Sequence, residues 1–220
     1  MRIYIPTEGP GDWRKLLADP EKQWRSGFSA MAMARSWEAA NGLPKEIQAI
    51  LGKNSELLLA IPEHKVPLPG GRRESQCDVF ALVAIADRIA SVAVEGKVNE
   101  PFGPTIGDWL IRPTPGRIKR LTTICEMLGG AYPPPPELRY QLFHRTAAAL
   151  IEAGRFNTDS AAMIVHSFSQ EHRWYDDFHA FCSYLGLEGE RGKAVPKQLP
   201  DGRELILGWA TGDRRYIEPE

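Results

Sequence analysis

The chain has 220 residues, a formal net charge of -1, and 43% hydrophobic against 25% charged residues. That length supports one well-buried core. The composition excludes a disordered chain, and the near-neutral charge excludes a global basic field that would draw the protein to nucleic acid or membrane.

In chain order, RIYIP at residues 2–6 reads as a short strand followed by the loop TEGPGD. The N-terminal residues lack the apolar stretch of a signal peptide, and no apolar run is long enough for a membrane span. From about Trp13 to Leu51 the pattern is helical. SAMAMARSWEAANG is rich in strong helix formers and is stopped by Gly42 and Pro44, and PKEIQAILG forms a further short helix with Pro44 in its first turn. ELLLAIPEHKVPLPGG begins as a strand and dissolves into a Pro/Gly loop. Residues 77–86 and 88–98, CDVFALVAIA and RIASVAVEGKV, are two apolar strands around a short polar turn. Their near-continuous apolarity predicts burial on both faces and helices covering the sheet.

Residues 99–117 are too rich in Pro and Gly for regular structure throughout. RIKRLTTICEMLG predicts a helix with Leu121, Ile124 and Leu128 along one stripe. AYPPPP is a stiff polyproline linker. ELRYQLFHRTAAALIEAGRF is the clearest helix, ended by Gly154. AAMIVHSFS is a buried strand, WYDDFHAFCSYLG an amphipathic helix, and RELILGWATGDRRYI a terminal strand or hairpin. The order predicts an α/β layered fold in one domain.

Three charges interrupt the most core-like strands: Asp78 in the first, Glu95 and Lys97 in the second. Side chains two apart on a strand share a face, so Glu95 and Lys97 point the same way, and hairpin pairing brings Asp78 beside Glu95. Two carboxylates so placed repel unless a cation lies between them. Their oxygens, completed by water, suit Mg²⁺ or Mn²⁺, and a neighbouring lysine suits a phosphate or an attacking water.

These residues resemble the PD-(D/E)XK nuclease superfamily, with its restriction-endonuclease-like core. The family pattern is an Asp at the start of one strand and (D/E)-x-K on the next, matched here by Asp78 in SQCDVF and by Glu95-Gly96-Lys97 in VAVEGKV. Cys77 stands where the nominal pattern has proline. The resemblance covers residues 28–168, leaving 1–27 and 169–220 as terminal additions. It implies a mixed sheet flanked by helices in the order α-β-β-β-α-β. It further implies metal ligands Glu38, Asp78 and Glu95, a catalytic Lys97, and support from Gln141. The function implied is Mg²⁺- or Mn²⁺-dependent hydrolysis of nucleic acid, with DNA ahead of RNA, and a homodimer is one expected assembly.

Arg72, Arg73 and Arg145 are the expected phosphate contacts, since the guanidinium fork matches phosphate. The alternative function is a nuclease-like fold kept without catalysis as a binding or interaction module, which the absence of an obvious basic groove favours. Three well-separated cysteines (Cys77, Cys125, Cys182) without a CxxC pair fit a reducing, cytoplasmic compartment. The five histidines show no zinc spacing, and His166 reads as a core histidine.

Overall fold

The computed structural model describes residues 7–218; the expected strand at 2–6 lies outside them. Residues 13–51 do not form one helical run but break into short pieces. A 3₁₀ helix at Pro10–Leu16 is followed by α1 (Pro20–Gln23), α2 (Ser29–Ala40) and α3 (Lys45–Leu51). The breaks have local causes. Pro20 opens α1 behind the Asp19 cap, and Gly27 turns the chain at a φ of 80°. Asn41, left-handed at φ 48°, ends α2 one residue before the glycine that the sequence pattern singles out.

Three strands follow: β1 (Ser55–Val66), β2 (Ser75–Ile85) and β3 (Arg88–Lys97). β1 does not dissolve at Pro62 but runs on through it. It can do so because β1 lies at the edge of the sheet, where a strand tolerates a missing N–H. The two-residue turn Ala86-Asp87 closes the β2–β3 hairpin, with Ile85 opposite Arg88 and Ala86 left-handed at φ 54°.

The chain then forms α4 (Ile106–Trp109), α5 (Pro115–Leu128) and α6 (Tyr140–Phe156) before β4 (Ser160–Ser167), which pairs parallel to β3. Gly154 does not stop α6; the left-handed residue is Asn157. Last come α7 (Tyr175–Tyr184), β5 (Ala194–Gln198) and β6 (Glu204–Thr211).

The six strands form one mixed sheet in the order β1-β2-β3-β4-β6-β5. The expected α-β-β-β-α-β series is present, read as α2, β1, β2, β3, α6 and β4, with α3 inserted after α2 and α4 and α5 before α6. The C-terminal addition is integral to it. β6 pairs parallel with β4 over its whole length and antiparallel with β5, so the terminal hairpin completes the sheet. Both faces are covered, as the apolar strands predict. On one face Ala93, Met163 and Trp209 pack with Leu121, Phe143 and Phe181 of α5, α6 and α7. On the other, Val79, Val92 and Ile164 pack with Met33, Trp37 and Ile47 of α2 and α3. Each fully buried Val, Ile, Leu or Phe contributes roughly 1.5–3 kcal/mol, which holds the central strands rigid under the site. No helix among the described residues is long and apolar enough to cross a membrane.

Candidate active site

The antiparallel order of β1, β2 and β3 places the end of β1, the start of β2 and the end of β3 at one margin of the sheet. A cleft of about 470 Å³ opens there, lined by Glu63, Gln76, Asp78, Glu95, Lys97, Gln141 and Arg145, with the start of α2 as its opposite wall. Register explains the convergence. Pro62 pairs with Val79 and His64 with Cys77, which bracket Glu63 and Asp78, and Val79 pairs with Val94, the residue before Glu95. Three carboxylates from three adjacent strands thus line one cleft.

Glu95 and Lys97 do share a face, and both are almost wholly buried, each 3% exposed. Lys97 Nζ donates to Glu95 Oε1 at 2.5 Å and lies 5.0 Å from the centre of the Phe102 ring. Gln141 and Arg145, one turn apart on α6, reach the same carboxylate. Gln141 Nε2 donates to Oε1 at 2.7 Å, and Arg145 Nε donates to Oε2. Burial acts to raise the Glu95 pKa, but Arg145 and Lys97 outweigh it and hold the group down at about 2. Arg145 is therefore not a free phosphate contact. It is buried, with Nη1 donating to Ser75 Oγ at 2.8 Å. Ser75 Oγ lies 2.8 Å from His144 Nδ1. Burial and the Arg145 charge keep His144 neutral, well below its ordinary value.

Asp78 is half-buried, and its Oδ2 accepts the Gly96 N–H at 2.7 Å. Gly96 makes this approach feasible: a Cβ there would stand 2.6 Å from Met33 Cγ and 3.1 Å from Asp78 Oδ2. Burial, then the Glu95 charge, pushes Asp78 up to about 7. Glu63 is pushed up to about 8 by burial and then by Asp78, and its Oε2 accepts from Gln76 Nε2 at 2.7 Å. Its backbone is left-handed at φ 54° inside a strand. For a non-glycine residue that is a strained conformation, of the kind concentrated at functional positions.

Glu63 escaped the sequence pattern because it follows Pro62 in a stretch that reads as the dissolving end of a strand. The one available signal was an acidic residue beside the apolar run LLLAIP. Glu38 goes the other way. It accepts from Trp13 Nε1 at 2.8 Å and from Thr7 Oγ1 at 2.5 Å, and does not line the cleft. The wall of the cleft is the start of α2, and nine residues of helix put Glu38 about 13 Å further along the axis. Arg72 and Arg73 lie outside the cleft too, in a separate pocket on the α5 side. His166 is a buried core residue whose Nε2 lies 2.7 Å from Glu46 Oε1.

Four carboxylates, Glu63, Asp78, Glu95 and Glu100, line this cleft with Lys22, Lys97 and Arg145. Lys22 is paired with Asp19, and Glu100 accepts the Ser29 N–H at 3.0 Å. Among the described residues no three His, Cys, Asp or Glu side chains converge tightly enough to hold a metal ion as they stand, because Arg145, Lys97 and Gln141 occupy Glu95. Glu63 and Asp78 remain, with the buried Gln141 Oε1, which has no hydrogen-bond partner.

Fold and site together define an α/β protein with a mixed six-stranded sheet between two helical layers and an acidic cleft at the margin of three antiparallel strands. The chain belongs to the family described as Domain of unknown function (DUF6946), whose model matches residues 6–214. No curated protein and no solved structure matched the chain.

Proposed function

We propose that the protein is a divalent-metal-dependent phosphodiester hydrolase acting on nucleic acid, DNA in the first instance. The observation that carries this reading is the convergence of Glu63, Asp78 and Glu95, from three adjacent strands, on one cleft. The element order and the spacing of Asp78 and Glu95-Gly96-Lys97 support it, being those of the PD-(D/E)XK pattern.

The residues fit a hard divalent ion. Asp78 and Glu63 would hold it, aided by the unpartnered Gln141 Oε1, since Mg²⁺ commonly takes one or two carboxylates and keeps several waters. When bound, such an ion supplies Lewis-acid polarisation of a phosphoryl oxygen and lowers the pKa of a coordinated water. The chain's own residues do the rest. Lys97, fixed by Glu95 and buried against Phe102, offers an immobile positive charge to a phosphate. Such preorganised charge in a water-poor site is worth far more than in bulk solvent. Gln141 and Arg145 hold Glu95 and through it the angle of Lys97, which makes them positioning residues. Without metal, Asp78 is raised toward neutrality by burial and by Glu95, so it must shed its proton before it can ligate.

Asp78→Asn and Lys97→Ala are each expected to lower cleavage of DNA in Mn²⁺ by at least about 10²-fold, because loss of metal or phosphate stabilisation costs several kcal/mol. Cleavage that survives both changes removes the proposal. One observation favours a second reading, a binding module without catalysis: Glu95 is closed off by three donors. Calorimetric titration with Mn²⁺ separates the two, since an inert module shows no Asp78-dependent heat.

A further inference from the structure

A second pocket of about 240 Å³, formed between the loop before β2 and the start of α5, is lined by Arg72, Arg73, Arg117 and Arg120. None of the four forms an ion pair among the described residues. Arg120 is only 7% exposed, and its Nε donates to the Pro69 carbonyl at 2.8 Å. Arg117 Nη1 donates to the carbonyls of Trp109 and Arg112 at 2.7 and 3.2 Å, with its guanidinium 5.4 Å from the Trp109 ring. That ring is stacked on Tyr140 at 4.0 Å. Neutral carbonyls thus orient two guanidiniums without neutralising them. Asp108, a nearby acid, is occupied in the Thr105 capping box. A buried guanidinium with no carboxylate is costly unless an anion completes it.

One edge of the pocket is set by a close backbone contact. Gly70, at φ 76°, and Gly116 meet backbone to backbone: a Cβ on Gly70 would stand 2.3 Å from the Gly116 oxygen, and one on Gly116 2.4 Å from the Gly70 oxygen. Both glycines are needed for this loop to lie against the start of α5.

The geometry points to a binding subsite for the phosphates of a nucleic-acid strand that passes from this pocket to the carboxylate cleft. Its ligand chemistry is the phosphodiester, which planar guanidiniums bind bidentately. The short stretch of chain between this pocket and the cleft favours a polymer over a small phosphate. Arg73 and Gln76, which lines the cleft, are three residues apart, at most about 10 Å along the chain. On one DNA strand that is about three nucleotides of helical rise. The inference extends the nuclease reading to its substrate, but binding here requires no cleavage, so the two fail separately.

The test is fluorescence anisotropy of a labelled single-stranded deoxyoligonucleotide, titrated with the full chain in EDTA over a range of KCl. Wild type is expected to bind with an affinity that falls as salt rises. Arg72→Ala/Arg73→Ala, at exposed positions that leave folding intact, is expected to flatten the slope of log K against log salt by about 1.4 and to weaken binding roughly 25-fold at about 0.1 M salt. Absence of binding by wild type, or a double variant with unchanged affinity and slope, overturns the subsite. Calorimetry with inorganic phosphate completes it: Arg72- and Arg73-dependent heat from phosphate alone, without oligonucleotide binding, assigns the pocket to a small anion and overturns the polymer. Oligonucleotide binding by a wild type that cleaves nothing sustains the subsite and removes the nuclease reading alone.

Discussion

Glu63 holds a left-handed backbone, a buried position and a carboxyl forced toward neutrality in one residue. Each is unfavourable to folding, and a strained conformation of this kind costs about 1–3 kcal/mol. Glycine adopts the same φ without strain. Glu63→Gly is therefore expected to stabilise the protein by about 1 kcal/mol, a rise of roughly 2–4 °C in Tm for a chain of this size, while abolishing Asp78-dependent Mn²⁺ binding. A thermal melt beside a Mn²⁺ titration checks both halves, and a fall in Tm contradicts the strain argument. Asp78, Glu95 and Lys97 were legible in the sequence because charge on an otherwise apolar strand is conspicuous. Glu63 was not, because its role comes from the register of β1 on β2, which no local pattern encodes. Glu38 misled for the complementary reason: helical period gives the face of α2, not which neighbour that face meets.

Among the elements, β6 carries more than its place in the chain suggests. Its residues Leu205 to Ala210 are buried between β4 and β5, and Trp209 packs edge-on against Tyr175 of α7. Deleting residues 188–220 would leave β4, buried along all eight of its residues, as an edge. The shortened chain is expected to lose cooperative unfolding, as seen by denaturant titration followed by tryptophan fluorescence. A sharp transition would show that the chain up to residue 187 forms a self-sufficient core without β5 and β6. Long apolar elements such as β2, β3 and α6 were readable from periodicity. β5, with the sequence AVPKQ, was not, since a short polar strand gains its structure wholly from pairing with β6.

For the molecule as a whole, the acidic cleft ties stability to pH. Asp78 and Glu63 rise from 3.8 and 4.5 to about 7 and about 8 on folding. The folded state holds their protons more tightly, so this contribution is complete below about pH 4 and is lost as pH rises through about 7 to 8. Metal-free protein is expected to melt at progressively lower temperature across that window. Mn²⁺ should raise Tm at about pH 8.5 far more than at about pH 5, because ligands must first lose their protons. Equal Mn²⁺ effects at both values would exclude these carboxylates as ligands.

Pro62 on β1 and Pro196 on β5 mark the two outer strands of the sheet. A proline on an edge strand removes a donor that an incoming strand would need, and the bent backbone at Glu63 spoils the flatness of the first edge. Lateral growth into fibrils is thus disfavoured at both margins.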